Sequence, residues 1–264
     1  HPLRYQLTNE LHARPFPVME APTTVAYLAI KPAQGGEHRD PMLDWQHLIA
    51  LLERHGATLP QPGATHHTAQ IGRHMLKWEQ HTEFVSYTAY SNGVSARAFD
   101  PVDFEVFPAD WLAEAPGLRI TSAMIRVAAA PQSAELKPLL HDWFVPESLA
   151  VSQVLDGSAL VGGDFRIDPA GHMRFAVFPQ AATGSRRIGR IVQRLCEIET
   201  YRAMAMLGLA CARELTPSLS QQESQLSQMT AEMTSGKLPA EQTLTRLLAV
   251  SAELTYATHF ILTA

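Results

Sequence analysis

The stretch NELHARPFP, residues 9–17, gathers Glu10, His12 and Arg14 within five residues before stopping at Pro15 and Pro17. A carboxylate, an imidazole and a guanidinium are the groups from which a general acid, a general base and an anion clamp are built. Side chains alternate across an extended segment, so Glu10, His12 and Arg14 share one face while Leu11 and Ala13 take the other. No nucleophile accompanies them. The chain has no GxSxG elbow, and Cys196 sits in the middle of a helical pattern. The spacing therefore predicts an extended clamp that ties this segment to a neighbouring strand or subunit, with Arg14 on a carboxylate. A ligand-binding role for the three residues ranks second and catalysis last.

Two other groups have the right residue types for a site. His66, His67, His74 and His81 are four of twelve histidines, and imidazole is the commonest transition-metal ligand. Facing strands of a hairpin could bring them together, yet neither a helical two-histidine zinc spacing nor a CxxC accompanies them. Met75, Trp78 and Phe84 bracket the set, so packing competes with metal binding. Arg187, Arg190 and Arg194 fall on one helix face, near an N-terminus where cations oppose the macrodipole by a few tenths of a kcal/mol each. A small anion would relieve them, as would a solvated or subunit-pairing face with local carboxylates such as Glu197. GSALVGGDFRID (157–168) lacks both the GxGxxG and the GxxxxGK[ST] pattern, so its glycines do not announce a nucleotide loop. No cofactor is specified.

Composition narrows the classes. With 264 residues, 46% of them hydrophobic and 18% charged, the chain can bury a large core. A formal net charge of −5 argues against a general nucleic-acid binder. Cys196 and Cys211, if both lie on one helix, stand about 22 Å apart at the rise of a helix, too far to bridge. Nothing demands an oxidising compartment, and no run of about 18 apolar residues is present.

The elements that would position these groups divide at about residue 180. Residues 1–180 read as a mixed α/β head. TTVAYLAIK (23–31) is a β run, and 41–56 is a helix from Pro41 to Gly56. HHTAQIGRHMLKWEQ and TEFVSYTAYS read as two strands of a hairpin. A short helix over 108–117, a strand over 118–130 and a helix near 132–143 follow, then a hairpin turning at DPAG (168–171). Residues 181–264 read as a helical tail, with one helix over 183–215, a cap or kink at Thr216-Pro217, and coiled-coil spacing through Leu219, Leu226, Met229 and Met233. A third helix opens at Pro239. The expected fold is α+β: a mixed head with antiparallel hairpins, then antiparallel long helices. An apolar stretch, THFILTA, closes the chain and suggests a fragment.

NELHARPFP (9–17), WEQHTEF (78–84), GGDFRID (162–168) and LCEIETYRAMAMLGLA (195–210) together resemble the signature segments of an uncharacterised bacterial membrane-anchored family, over essentially the whole chain. The resemblance implies a longer parent protein, with more helix and a C-terminal hydrophobic hairpin. It places this chain at the cytoplasmic face of the bacterial inner membrane. It supplies no activity, substrate or catalytic residue. The layout is similar to that of CorA-type divalent-cation channels, by layout alone. The leading expectation is thus a non-enzymatic cytoplasmic domain, homo-oligomeric through helices 183–264, scaffolding or gating a transport-like assembly. The alternative is a metal- or anion-dependent ligand-binding protein or enzyme using His12, Arg14 and the 66–81 histidines, or a sensor holding an anion at Arg187, Arg190 and Arg194.

Overall fold

A computed structural model describes residues 16–32, 40–235 and 239–263. Among the described residues eight strands form one sheet: β1 (Thr23–Lys31), β2 (His66–Ile71), β3 (His74–Gln80), β4 (Val85–Asn92), β5 (Leu118–Val127), β6 (Ala150–Val154), β7 (Ala159–Gly163) and β8 (Met173–Pro179). Their order is β2-β3-β4-β1-β5-β8-β7-β6. β5 and β8 run parallel and every other neighbouring pair antiparallel, so the sheet is mixed. Among the described residues there are five α-helices: α1 (Pro41–Arg54), α2 (Ala109–Ala113), α3 (Ser133–Trp143), α4 (Ser185–Thr234) and α5 (Ala240–Thr263). The chain falls into two compact units, one up to Thr200 and one from Tyr201 onward.

β1 is a continuous apolar run because it is buried on both faces between β4 and β5. On one face, Leu28 of β1, Trp78 of β3, Tyr87 of β4 and Met124 of β5 join Leu48 and Leu51 of α1 and Trp111 of α2 in the main core. α1 starts where Asp40 accepts a hydrogen bond from the Met42 amide at 2.9 Å, with Pro41 at its first position. Its buried Leu48, Leu51 and Leu52 recur at three- and four-residue spacing, which sets the face turned to the sheet. The opposite face of the sheet is covered by the first part of α4, through Ile188, Ile191, Val192 and Cys196.

The α+β class and the head-then-helix order are as the residue patterns suggest. Three local expectations need correction. Residues 66–80 are two strands, because Gly72 (φ +54°) and Arg73 make a two-residue turn that pairs Ile71 with His74. β6, with its mixed small and polar residues, is an additional strand. Thr216-Pro217 neither caps nor ends the helix: α4 runs unbroken for 50 residues with Pro217 inside. Proline there removes one backbone bond. The turns on either side remain intact, and the Thr216 hydroxyl donates to the Ala212 carbonyl at 2.7 Å.

Two glycines of α4 make contrasting demands. Gly189 is buried where the chain at Pro17 crosses the helix, and a Cβ there would overlap the Pro17 carbonyl oxygen. Gly208 has no atom within 4 Å of the place a Cβ would occupy. Gly189→Ala is expected to lower unfolding stability by about 2 kcal/mol or more through overpacking, whereas Gly208→Ala should raise it by roughly 0.5–1 kcal/mol from helix propensity. Chemical denaturation of the two variants checks both signs.

Candidate functional site

A connected group of buried polar side chains lies between the sheet and the first part of α4. Lys77 and Glu79 are two apart in β3 and therefore share a face. Their side chains are 6% and 9% exposed, with Nζ and Oε1 3.0 Å apart. Lys77 Nζ also donates to Gln193 Oε1 at 3.0 Å. Gln193 Nε2 donates to Glu197 Oε1 at 2.9 Å, and Arg194 reaches the other oxygen of Glu197 at 2.8 Å. Further along the helix the Thr200 hydroxyl donates to the Cys196 carbonyl at 2.9 Å. That leaves the Tyr27 hydroxyl as the donor in its 2.7 Å contact with Thr200 Oγ1. The hydroxyl of Thr121 donates to Glu199 Oε1 at 2.9 Å.

This seam is closed and mutually satisfied. Burial, with Cys196 and Glu79 adding, holds the Tyr27 phenol well above its ordinary range. Burial likewise pushes the Cys196 thiol up, reinforced by the Glu79 and Glu197 carboxylates. A thiol held protonated is a poor nucleophile. The chemistry open to the arrangement is to seat and orient α4 on the sheet: Lys77 holds Glu79, the Gln193 amide bridges Lys77 and Glu197, and the Thr121 hydroxyl reaches Glu199.

Two histidines that sequence reasoning did not single out are better placed than the predicted four. His47 is buried, stacked on Trp111 at 3.8 Å between ring centres, with Nδ1 3.0 Å from the Tyr87 hydroxyl and Nε2 3.0 Å from the Trp111 carbonyl. His172 is buried against Phe104, with Nδ1 2.9 Å from Ser122 Oγ. The Ser122 hydroxyl donates to the Gly171 carbonyl at 3.2 Å, so Oγ accepts from the imidazole. A general base needs the opposite polarity. Burial lowers both imidazole pKa values, with the Trp111 carbonyl opposing it at His47 and Asp168 opposing it at His172.

Of the predicted residues, Glu10, His12 and Arg14 lie outside the described residues. The histidine set is not assembled. His66 pairs with Glu79 at one end of the β2–β3 hairpin and His74 with Ile71 at the other. His67 Nε2 lies 2.7 Å from the Thr58 carbonyl, and His81 stacks on Phe84 at 4.2 Å. Among the described residues no three His, Cys, Asp or Glu side chains are grouped to hold a metal ion. The arginines are engaged one by one: Arg187 donates to Ser158 Oγ at 2.9 Å, Arg190 lies over the Phe16 ring at 4.7 Å, and Arg194 pairs with Glu197. Gly162-Gly163 serves close packing, since a Cβ at Gly163 would come within 2.8 Å of the Phe175 ring. Lys77 and Glu79 were within reach of the sequence, because alternation in HMLKWEQ sets them opposite Leu76 and Trp78. Gln193 as their partner was not.

The second unit offers a surface of a different kind. α4 beyond Tyr201 and α5 form an antiparallel pair, with Gln222 bonded to Glu253 and Arg246 to Glu232 (2.9 Å). Gln222 and Met229 on α4, and Thr243 and Val250 on α5, are buried. At 100° per residue, Leu219, Leu226 and Thr230 advance in one rotational sense from the buried line of α4. Leu244, Leu247, Leu248 and Leu254 advance in the same sense from that of α5. In antiparallel helices these flanks fall on the same side. The opposite side carries Gln221, Gln225, Gln228, Glu232, Arg246 and Glu253. One side of the hairpin is therefore leucine-rich, with Leu244 59% and Leu248 62% exposed, and the other is polar.

The model of the family described as protein of unknown function (DUF3422) matches residues 1–260, and the chain belongs to that family. No curated protein and no solved structure matches the chain. Among the described residues no helix is long and apolar enough to cross a membrane.

Two measurements probe the buried groups. Lys77→Met leaves the Glu79 carboxylate buried and unpaired, and should cost about 3–5 kcal/mol of stability. Lys77→Met with Glu79→Leu should recover most of that loss in the same denaturant titration. Because folding lowers the pKa of His47 and His172, their contribution is complete above the unfolded value near 6.5 and is lost as pH falls through the lower folded values. Melting temperature should therefore drop from pH 7 towards pH 5, with a shallower slope for His172→Asn.

Proposed function

We propose that this member of the family is the non-catalytic cytoplasmic part of a membrane-anchored assembly, and that it self-associates through its helical unit. The observation that carries this reading is the one-sided leucine flank of the α4–α5 hairpin. Full burial of a leucine is worth ~1.5–3 kcal/mol, so covering the remaining exposed part of the four α5 leucines in each of two copies gives on the order of 6–12 kcal/mol. The cost of association is estimated at ~4–15 kcal/mol, which sets the expectation of a reversible rather than a permanent complex. A large exposed apolar patch beside a polar one is the usual mark of an interaction surface.

The membrane part of the proposal rests on the family resemblance of NELHARPFP, WEQHTEF, GGDFRID and LCEIETYRAMAMLGLA, which points to the cytoplasmic face of a bacterial inner membrane. The likeness to CorA-type channels is an analogy of layout alone, a head followed by long helices. A scaffolding or gating role in such an assembly extends the same reading. The closed seam around Lys77 and Glu79 fits a unit that holds a helix in place.

Sedimentation velocity on this chain over a range of concentrations tests the self-association. The expected outcome is a mass that rises above 29.1 kDa with concentration. The double variant Leu244→Glu, Leu248→Glu should remain at monomer mass with unchanged helical circular dichroism. A wild-type chain that stays monomeric throughout overturns the reading.

A further inference from the structure

Leucines are only part of the apolar surface that the helical unit leaves uncovered. Residues 203–212, AMAMLGLACA in α4, hold no charged residue, amide or hydroxyl in ten successive positions. On a helix those positions face every direction, and a helix apolar all round belongs inside a packed bundle. This belt is bare: Met206 is 53%, Leu207 38% and Leu209 39% exposed, and Ala205, Gly208 and Ala210 are exposed as well. Ten helical residues span about 15 Å, half the thickness of a bilayer core, so lipid is not a fitting cover. Further along α4 a groove of about 530 Å³ opens, lined by Leu219, Leu226 and Thr230 of α4 and Leu254 of α5, with Glu223 on its rim.

We propose that the belt of a second copy fills this groove, reciprocally, about a two-fold axis beside Leu215 and Thr216, with the two α4 helices antiparallel. This rests on the self-association reading and locates its contact. Size, charge and closure select a second copy as the occupant. Ala205, Ala212, Leu219 and Leu226 recur every seven residues and so follow one line along the helix. Reversing that line about its midpoint sets Ala205 against Leu226 and Ala212 against Leu219, small against large in every layer, which is how facing helices interdigitate. Ala205, Ala212 and Leu219 are exposed and Leu226 half-buried, so no packed residue has to turn outward. The groove lining holds one charged residue, Glu223, and no cation, which gives a nucleic acid or an anionic lipid no ionic handle. In the reversed alignment each Glu223 lies over the belt between Arg202 and Arg213 of the other copy, about 7.5 Å from Arg213 along the axis. On the same measure the two Glu223 carboxylates stand about 22 Å apart, well beyond the Debye length of about 8 Å at physiological salt. A parallel alignment would instead set Glu223 on Glu223 and alanine on alanine. Because belt and groove lie on one helix, a single two-fold operation covers both belts and both grooves and closes the contact at two copies. Leu254 borders the groove, so the same belt covers part of the α5 leucine flank.

Cysteine cross-linking of the 264-residue chain tests the placement. Glu214 and Thr216 are both exposed and lie on opposite sides of α4, so substituting either leaves the packed seam alone; Cys196 and Cys211 are buried and free. Under mild oxidation Thr216→Cys, beside the axis, should run as a disulfide-linked dimer. Glu214→Cys, on the far side of the helix, should not. Ala205→Glu places a carboxylate in the belt without touching the groove, and should weaken association at least tenfold in sedimentation velocity with helical circular dichroism unchanged. Glu223→Lys should weaken it severalfold at low salt, and that difference should shrink at high salt. If the wild-type chain associates but Thr216→Cys cross-links no better than Glu214→Cys, or Ala205→Glu associates like the wild type, the belt does not fill the groove and the self-association reading survives alone. If the wild-type chain is monomeric at every concentration, both fall.

Discussion

Strand β1 is buried on both faces, and the arrangement of the first unit follows from that constraint. A strand without a solvent face must have a pairing neighbour on each edge and a covering layer above and below. β4 and β5 supply the edges. On one face α1, α2 and α3 supply an apolar layer centred on Leu48, Trp111 and Leu140. On the other face α4 is the covering helix among the described residues, and its cover changes character across the sheet. Ile188, Ile191 and Val192 are apolar, but elsewhere the cover is polar, passing from Gln193 to Lys77 of β3, from Thr200 to Tyr27 of β1 and from Glu199 to Thr121 of β5.

That change of character has a physical consequence. An apolar interface holds a helix down without defining its position along its axis, since one leucine ridge resembles the next. A buried ion pair that also needs an amide from the helix is satisfied in one register only. The net energy of such a pair against an apolar substitute is small, so what Lys77 and Glu79 add is a defined seat for α4. The protonated Cys196 thiol and Tyr27 phenol belong to the same seat. Their raised pKa values reflect enclosure, and enclosure is also what keeps them away from a substrate.

Much of this was legible in the residues, and the failures have identifiable causes. TTVAYLAIK announces a two-sided strand, and PMLDWQHLIALLER carries its cap, its first-turn proline and its buried stripe in plain view. The Gly72 turn was missed although IGRH has glycine at the first central position, as a two-residue hairpin turn requires. AVSQV has neither a continuous apolar run nor clean alternation, being an edge strand with most residues exposed. At Pro217 the local signal for a helix end is overridden, because the neighbouring turns of α4 tolerate one missing bond. The seam itself depends on which residue of α4 lies over which residue of β3. Those positions are 116 residues apart, and no short-range pattern encodes that register. His47 and His172 carry no sequence signal because each stands alone, and their partners Trp111 and Ser122 are distant in the chain.

The two units put polar groups to related use at different depths. In the first, an ion pair and its amide are sealed against water and complete within the chain. In the helical hairpin, the polar layer at Gln222 and Glu253 is half complete, one end of the amide bonded and the other enclosed without a partner. The leucines around it are half covered as well. A complete polar seam fixes an internal register; the sealed amide of the hairpin selects no partner, and that task falls to the apolar flank beside it. The one-sidedness of the hairpin matters more than its total hydrophobicity. Leucines spread evenly around both helices would favour indiscriminate association, whereas a single flank bounded by glutamines, Glu232 and Arg246 limits contact to one direction and favours a closed assembly over an open chain.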